Sequence, residues 1–247
     1  MDISPAAFAR QLRLLRRLRF RPLSADEVLA FHERPDAILP RRAYALTVDD
    51  GFRDAVDELR RHPEQRAQVF VCTGSVGGRA EWAAGEPLAD WGELAESGAA
   101  VGSHATSHVD LTRAERLDET LVESRRELER RLARPATALA YPHGRRNDAV
   151  RRAAAAAGYR VAWTTDPGRT GAGTGPYDLR RVGPKEWDST LSFLWKVVTG
   201  ELVPARWERR LLARARRRSR SRPSSGSQDA PEGAGRSAEG RPRREQP

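Results

Sequence analysis

Two aspartates stand side by side at Asp49 and Asp50, in the stretch ALTVDDGFRD, where an apolar run stops and Gly51 follows. Adjacent carboxylates resist joint ionisation, so a chain seldom gains stability from such a pair. A divalent cation removes the penalty: one carboxylate binds the ion, and its neighbour stays free to take a proton from water held there. His104 and His108, in SHATSH, are spaced so that two imidazoles can face one way across a helical turn, and the chain has only five histidines. Two neutral imidazoles and one carboxylate suit zinc, and also iron, cobalt or nickel. Pro142-His143-Gly144 closes a third apolar run. Taken singly, Asp-Asp-Gly reads as a turn and the two histidines as surface residues. Three such clusters, each at the end of an apolar segment, favour a site instead.

These clusters need a scaffold that carries distant segments to one place. Short apolar runs over 44–48, 67–73, 99–104, 136–141, 159–163 and 177–182 read as strands. Helical patterns alternate with them. Ser4-Pro5 caps a helix to about Arg19, and Ser24 to Glu27 forms a capping box for a short one ending near His32. Further helices are expected over 52–61, over 87–98 with Gly98 closing it, and from a capping box at Thr112 to Glu115 through Leu132. Asn147 caps an alanine-rich helix that stops at Gly158, and 188–198 reads as a final helix. Strands alternating with helices imply parallel pairing with right-handed crossovers. Ligands in such folds gather at the carboxyl ends of strands, where all three clusters lie. Gly51 permits a sharp turn that brings both aspartates to the mouth, although neighbours within a strand point oppositely.

The 247 residues suffice for one sizeable α/β domain. Formal net charge is +10, but residues 205–247 hold 13 arginines and 5 acids, so the body carries only +2. We read 1–204 as the catalytic domain and 205–247 as an arginine-rich, disordered tail. Its arginines can contact nucleic acid or an anionic membrane weakly, but no aromatic residue comes after Trp207 to stack on a base. The single cysteine, Cys72, excludes an internal disulfide and a cysteine-rich metal cluster. No signal-peptide-like or 18-residue apolar run is visible, so a cytoplasmic protein is expected. No dedicated protein partner is evident.

The order of motifs resembles the polysaccharide deacetylase family, also called the NodB-homology domain or carbohydrate esterase family 4. TVDDG is similar to its T-F-D-D-G motif, SHATSH to its H-[ST]-x-x-H motif, and AYPHG to its R-x-P-Y-G segment, over roughly residues 4–200. The resemblance implies a distorted (β/α)7 barrel and metal-dependent removal of acetyl groups from N-acetylated sugars. The substrate would be an acetylated sugar, an oligosaccharide or a lipid-linked glycan. By position, it makes Asp49 the general base and Asp50, His104 and His108 the metal ligands. It places main-chain N–H groups around Tyr141, Pro142, His143 and Gly144 where an oxyanion forms.

Two departures stand out. The family's arginine before the third motif, which orients the catalytic aspartate, is replaced by Ala140. Arg181, in LRRV, is the substitute we expect. No histidine comes after His143, so the family's late general acid is missing. His143, whose imidazole type suits proton transfer near neutral pH, or Asp49 itself must then protonate the leaving amine. Trp82, Trp91 and Trp163 can stack on a sugar ring or pack in the core, and Asp166 either lines the late loops or merely turns them. Rival readings are de-O-acetylation or deformylation on the same fold, a sugar-binding protein with weakened turnover, and a non-haem iron oxygenase. The alternating β/α pattern argues against the last.

Overall fold

The computed structural model describes residues 3–34, 36–171 and 173–201. The expected boundary at 204 and the tail beyond it lie outside them. In chain order the elements are α1 (Pro5–Arg17), β1 (Arg21–Leu23), α2 (Ala25–Glu33), β2 (Ala43–Ala45), β3 (Thr47–Val48), α3 (Arg53–Arg60) and β4 (Gln68–Val71). A small hairpin comes next, β5 (Arg79–Ala80) with β6 (Glu86–Pro87), then α4 (Trp91–Glu96), β7 (Ala100–Ser103) and α5 (Leu117–Leu132). The chain continues through β8 (Ala138–Ala140), α6 (Asp148–Ala156), β9 (Val161–Trp163) and α7 (Thr190–Thr199).

β2 and β3 form one run interrupted at Leu46. β1 pairs parallel with β2, and β3-β4-β7-β8-β9 pair parallel in that order. The result is a curled, parallel, six-strand half-barrel of the distorted type anticipated. Alternation along each strand sorts the side chains by face. Phe70, Ala138, Ala140, Val161 and Trp163 turn inward to meet Leu23 and Leu179, while Val69 and Val71 pack outward beneath Phe8, Leu12 and Leu59. Phe70 is wholly buried; excluding a ring of that size from water contributes on the order of 2–3 kcal/mol. Among the described residues no helix is long and apolar enough to cross a membrane.

Several local signals act as read. The Ser4 hydroxyl accepts from the Ala7 N–H at 3.3 Å with Pro5 in the first turn. Ser24 and Glu27 exchange both capping-box bonds. Four expectations need correction. The helix expected over 87–98 spans only Trp91–Glu96, because Glu86–Pro87 pair with Arg79–Ala80 and the Asp90 carboxylate caps the first turn. No helical turn joins His104 to His108: the segment is irregular, with Ala105 at φ 66°. The predicted box at Thr112 does not form, because the Thr112 hydroxyl and N–H both donate to Asp110, at 2.7 and 3.0 Å. Leu111–Arg113 becomes a short 3-10 turn, and α5 starts later, at Leu117, with no side-chain cap. The predicted strand over 177–182 shrinks to a single bridge between Leu179 and Trp163. The reason lies in the next two N–H groups: Arg180's goes to the Thr170 hydroxyl (3.0 Å) and Arg181's to the Asp166 carbonyl (3.0 Å), which ties the segment to a loop.

Candidate active site

β3 runs straight into Asp49 and Asp50, and the chain then reverses direction. Asp50 and Gly51 both have positive φ, 69° and 74°. The left-handed geometry at Asp50 is what lets two successive carboxylates serve one mouth; the turn does not rest on Gly51 alone. A Cβ at Gly51 would also lie 2.7 Å from Val71 Cγ1. The same device recurs at the other two clusters, where Ala105 (φ 66°) succeeds His104 and His143 (φ 59°) sits inside the third motif. Residues with side chains adopt this region at a cost, and at least three of them surround the site.

His104 is buried, at 2% exposure, and its Nδ1 lies 2.7 Å from the Ala140 carbonyl. A carbonyl only accepts, so Nδ1 carries the proton and Nε2 offers its lone pair. That Nε2 is 3.7 Å from Asp50 Oδ1, and His108 Nε2 is 3.6 Å from the same oxygen. One ligand atom from each of Asp50, His104 and His108 lies within 4.8 Å of the others. Burial holds both imidazoles below their ordinary pKa, which favours the neutral form a metal ligand needs. Burial, with Asp49 adding to it against the pull of His104, raises Asp50. Asp50 Oδ1 and His108 Nδ1 are buried without a hydrogen-bond partner. A buried carboxylate oxygen left unmatched between two neutral imidazole nitrogens fits a divalent cation in donor type, number and spacing.

Asp49 sits beside this cluster in the grip of Arg181. Arg181 Nη1 donates to Asp49 Oδ1 and Nη2 to Oδ2, both at 2.7 Å. The guanidinium is itself held, Nε donating to the Thr164 carbonyl at 2.8 Å and Nη1 to the Thr47 hydroxyl at 3.1 Å. Burial pushes the Asp49 carboxyl up, but the Arg181 charge and hydrogen bonds outweigh it, and the net shift is downward. The bidentate fork also fixes the plane of the carboxylate.

The third motif is positioned by its backbone. The Tyr141 N–H is taken by Trp163 O (3.0 Å) and that of Gly144 by Tyr141 O (2.8 Å), while Pro142 has none. Among the four residues named from the sequence, only His143 keeps a main-chain N–H outside these bonds. Tyr141 is fully buried with its hydroxyl donating to the Tyr177 carbonyl (3.2 Å), so its side chain builds the segment from beneath. A Cβ at Gly144 would sit 2.0 Å from Thr165 Oγ1. The His143 ring meets His108 edge-on, with centroids 4.3 Å apart.

The tryptophans separate clearly. Trp82, on the β5–β6 hairpin, stacks on His108 at 4.9 Å and 18°. Trp91 packs into the outer core beneath the Arg131 guanidinium, and Trp163 belongs to the half-barrel interior. Asp166 does line the late loops. Its carboxylate accepts from Arg146 Nη2 at 2.7 Å, and its carbonyl binds the Arg181 N–H. Three supports escaped the sequence reading: Thr47, Thr164 and Arg146. Arg146 also donates to Asp178 Oδ1 at 2.7 Å and joins the third motif to the loop after β9. Only Thr47 had a legible signal, its position two residues before the doublet. Cys72 is buried, its thiol donating to the His104 carbonyl at 3.3 Å.

Comparison with known proteins agrees with this geometry. Residues 37–162 match the family model described as Polysaccharide deacetylase. YxkH of Bacillus subtilis, named for the same family, is 25% identical over 167 residues, covering 65% of this chain and 57% of that relative. Among solved structures, the Streptococcus pyogenes deacetylase PplD, determined in complex with acetate, superposes with a TM-score of 0.67 at 25% identity, over 81% of this chain and 88% of that one. IcaB from Ammonifex degensii shares the fold, with a TM-score of 0.67 at 22% identity, over 80% of this chain and 89% of that one.

Proposed function

The chain belongs to the polysaccharide deacetylase family, and from that membership we propose that it is a carbohydrate deacetylase. The substrate we favour is an N-acetylhexosamine within a glycan or a glycoconjugate precursor, including a lipid-linked one. The observation that carries this reading is the placement of an Arg181-clamped Asp49 beside three cation-type ligands, Asp50, His104 and His108. Asp50, His104 and His108 would hold a divalent cation, zinc in our reading, which would supply Lewis acidity for the acyl group and for water.

The chain's own residues do the rest. Arg181 occupies one lone pair on each Asp49 oxygen and leaves the others free, so the carboxylate is aimed and ionised when water attacks. Asp49 takes the proton of that water. As the acyl carbon becomes tetrahedral, its oxygen gains charge, and the His143 N–H is the main-chain donor at the mouth able to bind it. The bond from the acyl carbon to nitrogen then breaks, acetate forms, and the amine must receive a proton. The His143 imidazole, in contact with His108, is our first candidate for that transfer. The protonated carboxyl of Asp49 is the second.

The experiment is metal content together with acetate release from acetylated sugars, for wild type, Asp49→Asn and His104→Ala. The expected pattern is a wild type that binds metal and turns over, a metal-loaded but inactive aspartate variant, and a histidine variant that loses both. One observation favours a second reading, a sugar-binding protein that kept the metal pocket but lost efficient turnover: no histidine comes after His143. That reading requires sugar affinity without acetate release in the wild type.

A further inference from the structure

α7 buries one side and presents another. Ser192, Phe193 and Lys196 face the fold, and Lys196 Nζ pairs with the buried Asp188 at 2.7 Å. On the opposite side Leu191 is 78% exposed and Val198 53%, with Trp195 between them at helical spacing. Trp187, just ahead of the helix, is 42% exposed and extends the same apolar character. Exposed aliphatic side chains aligned over two turns form a patch of the kind that marks a contact surface. The C-terminal end of α7 touches the loop that leaves β9: Arg169 Nη1 donates to the Val198 carbonyl at 3.4 Å, and Gly200 abuts Arg169. The C-terminal end of the patch therefore borders the loop that leaves β9.

The run of sequence beyond α7 identifies the partner's chemistry. Residues 205–222, ARWERRLLARARRRSRSR, hold nine arginines against one glutamate, a net of +8, interleaved with Trp207, Leu211 and Leu212. A second copy of this chain would bring an equal positive run against the first, and the two would repel. A nucleic acid would satisfy the arginines, but offers aliphatic Leu191 and Val198 nothing to bury against. An anionic bilayer meets both halves at once, with phosphate headgroups for the guanidinium groups and acyl chains for the apolar face. Tryptophan is suited to the boundary between them. We propose that the exposed face of α7 docks on an anionic lipid surface, the positive charge of the sequence after it selecting for anionic lipid.

The test is sedimentation of the full chain with phosphatidylcholine vesicles, with and without added phosphatidylglycerol. Binding is read without turnover, so the result stands apart from the assigned reaction. Expected is binding that needs phosphatidylglycerol and weakens with salt. The double variant Leu191→Ser, Val198→Ser should bind about tenfold more weakly, the loss expected for two partly inserted aliphatic side chains. The triple variant Arg216→Ser, Arg217→Ser, Arg218→Ser should lose about a hundredfold. Because both variants alter exposed or tail positions, circular dichroism should match wild type. Equal binding to both vesicle types, or full affinity in the double serine variant, overturns the proposal. So does binding to an oligonucleotide with none to vesicles, or a dimer that the double serine variant dissolves while vesicles go unbound.

Discussion

Replacing Arg181 isolates the contact that aims Asp49. The fork makes two charge-assisted hydrogen bonds of 2.7 Å to one carboxylate, each worth about 1.5–3 kcal/mol. Asp49 keeps 27% of its side-chain surface exposed and Arg181 15%, so water entering after Arg181→Ala recovers part of that sum. About 2–4 kcal/mol remains. If this falls on the transition state, turnover drops by roughly 30- to 1,000-fold. Arg181→Lys retains the charge but cannot supply the parallel fork, and should lose about tenfold. Initial rates of acetate release across substrate concentrations separate kcat from KM, and metal analysis of each variant runs alongside. The expected signature is a fall in kcat with KM little changed, metal content at wild-type level, and the lysine variant between wild type and alanine. A kcat within twofold of wild type for Arg181→Ala refutes the reasoning. A parallel loss of metal and activity refutes it equally, since Arg181 would then be supporting the ligands instead of the base.

Other expectations rest on single contacts. His143→Phe should retain metal and the fold while kcat falls at least tenfold, measured as released acetate; near-normal turnover assigns amine protonation to Asp49. Gly144→Ala places a Cβ at 2.0 Å from Thr165 Oγ1 on a backbone with φ of +69°, so calorimetry should show a loss of at least about 2 kcal/mol, and an unchanged Tm would contradict the geometry. Burial pushes Asp178 up, but the Arg151 and Arg146 hydrogen bonds prevail and lower it in the folded chain. Its stabilising contribution is therefore present above the ordinary aspartate range and lost as pH falls through the depressed value. Asp178→Asn should lower Tm at neutral pH by a few degrees, about 1 kcal/mol, and the gap to wild type should narrow below about pH 4. A gap that is constant with pH points to packing instead.

Much of the scaffold was legible because its determinants are local. Ser4-Pro5, the Ser24–Glu27 box and the Asn147 cap act within a few residues, and the alternation of apolar runs with helical patterns specifies parallel pairing. Where two local signals competed, tertiary surroundings or a neighbouring side chain decided. Asp110 took the Thr112 donors and delayed α5, and the loop at Thr170 and Asp166 drew N–H groups away from the strand expected over 177–182. Residue type, spacing and position at strand ends marked His104, His108 and one of the two aspartates as candidate ligands; the choice of Asp50 came from the family resemblance. Their convergence on one point, with Asp50 54 residues before the nearer histidine, depends on the order in which β3, β4, β7 and β8 pair. Arg181 was named as a candidate from the missing arginine at Ala140, but its fork on Asp49 spans 132 residues and exists only because the sheet curls until its last edge faces β3. The left-handed turn at Asp50 and the stacking of Trp82 on His108 belong to tertiary structure alone, and at the third motif it is another strand, through Trp163, that takes the Tyr141 N–H. A one-dimensional pattern specifies which groups are available and how each short element begins; distances between groups on different strands are set by pairing and curvature, which no short window of residues contains.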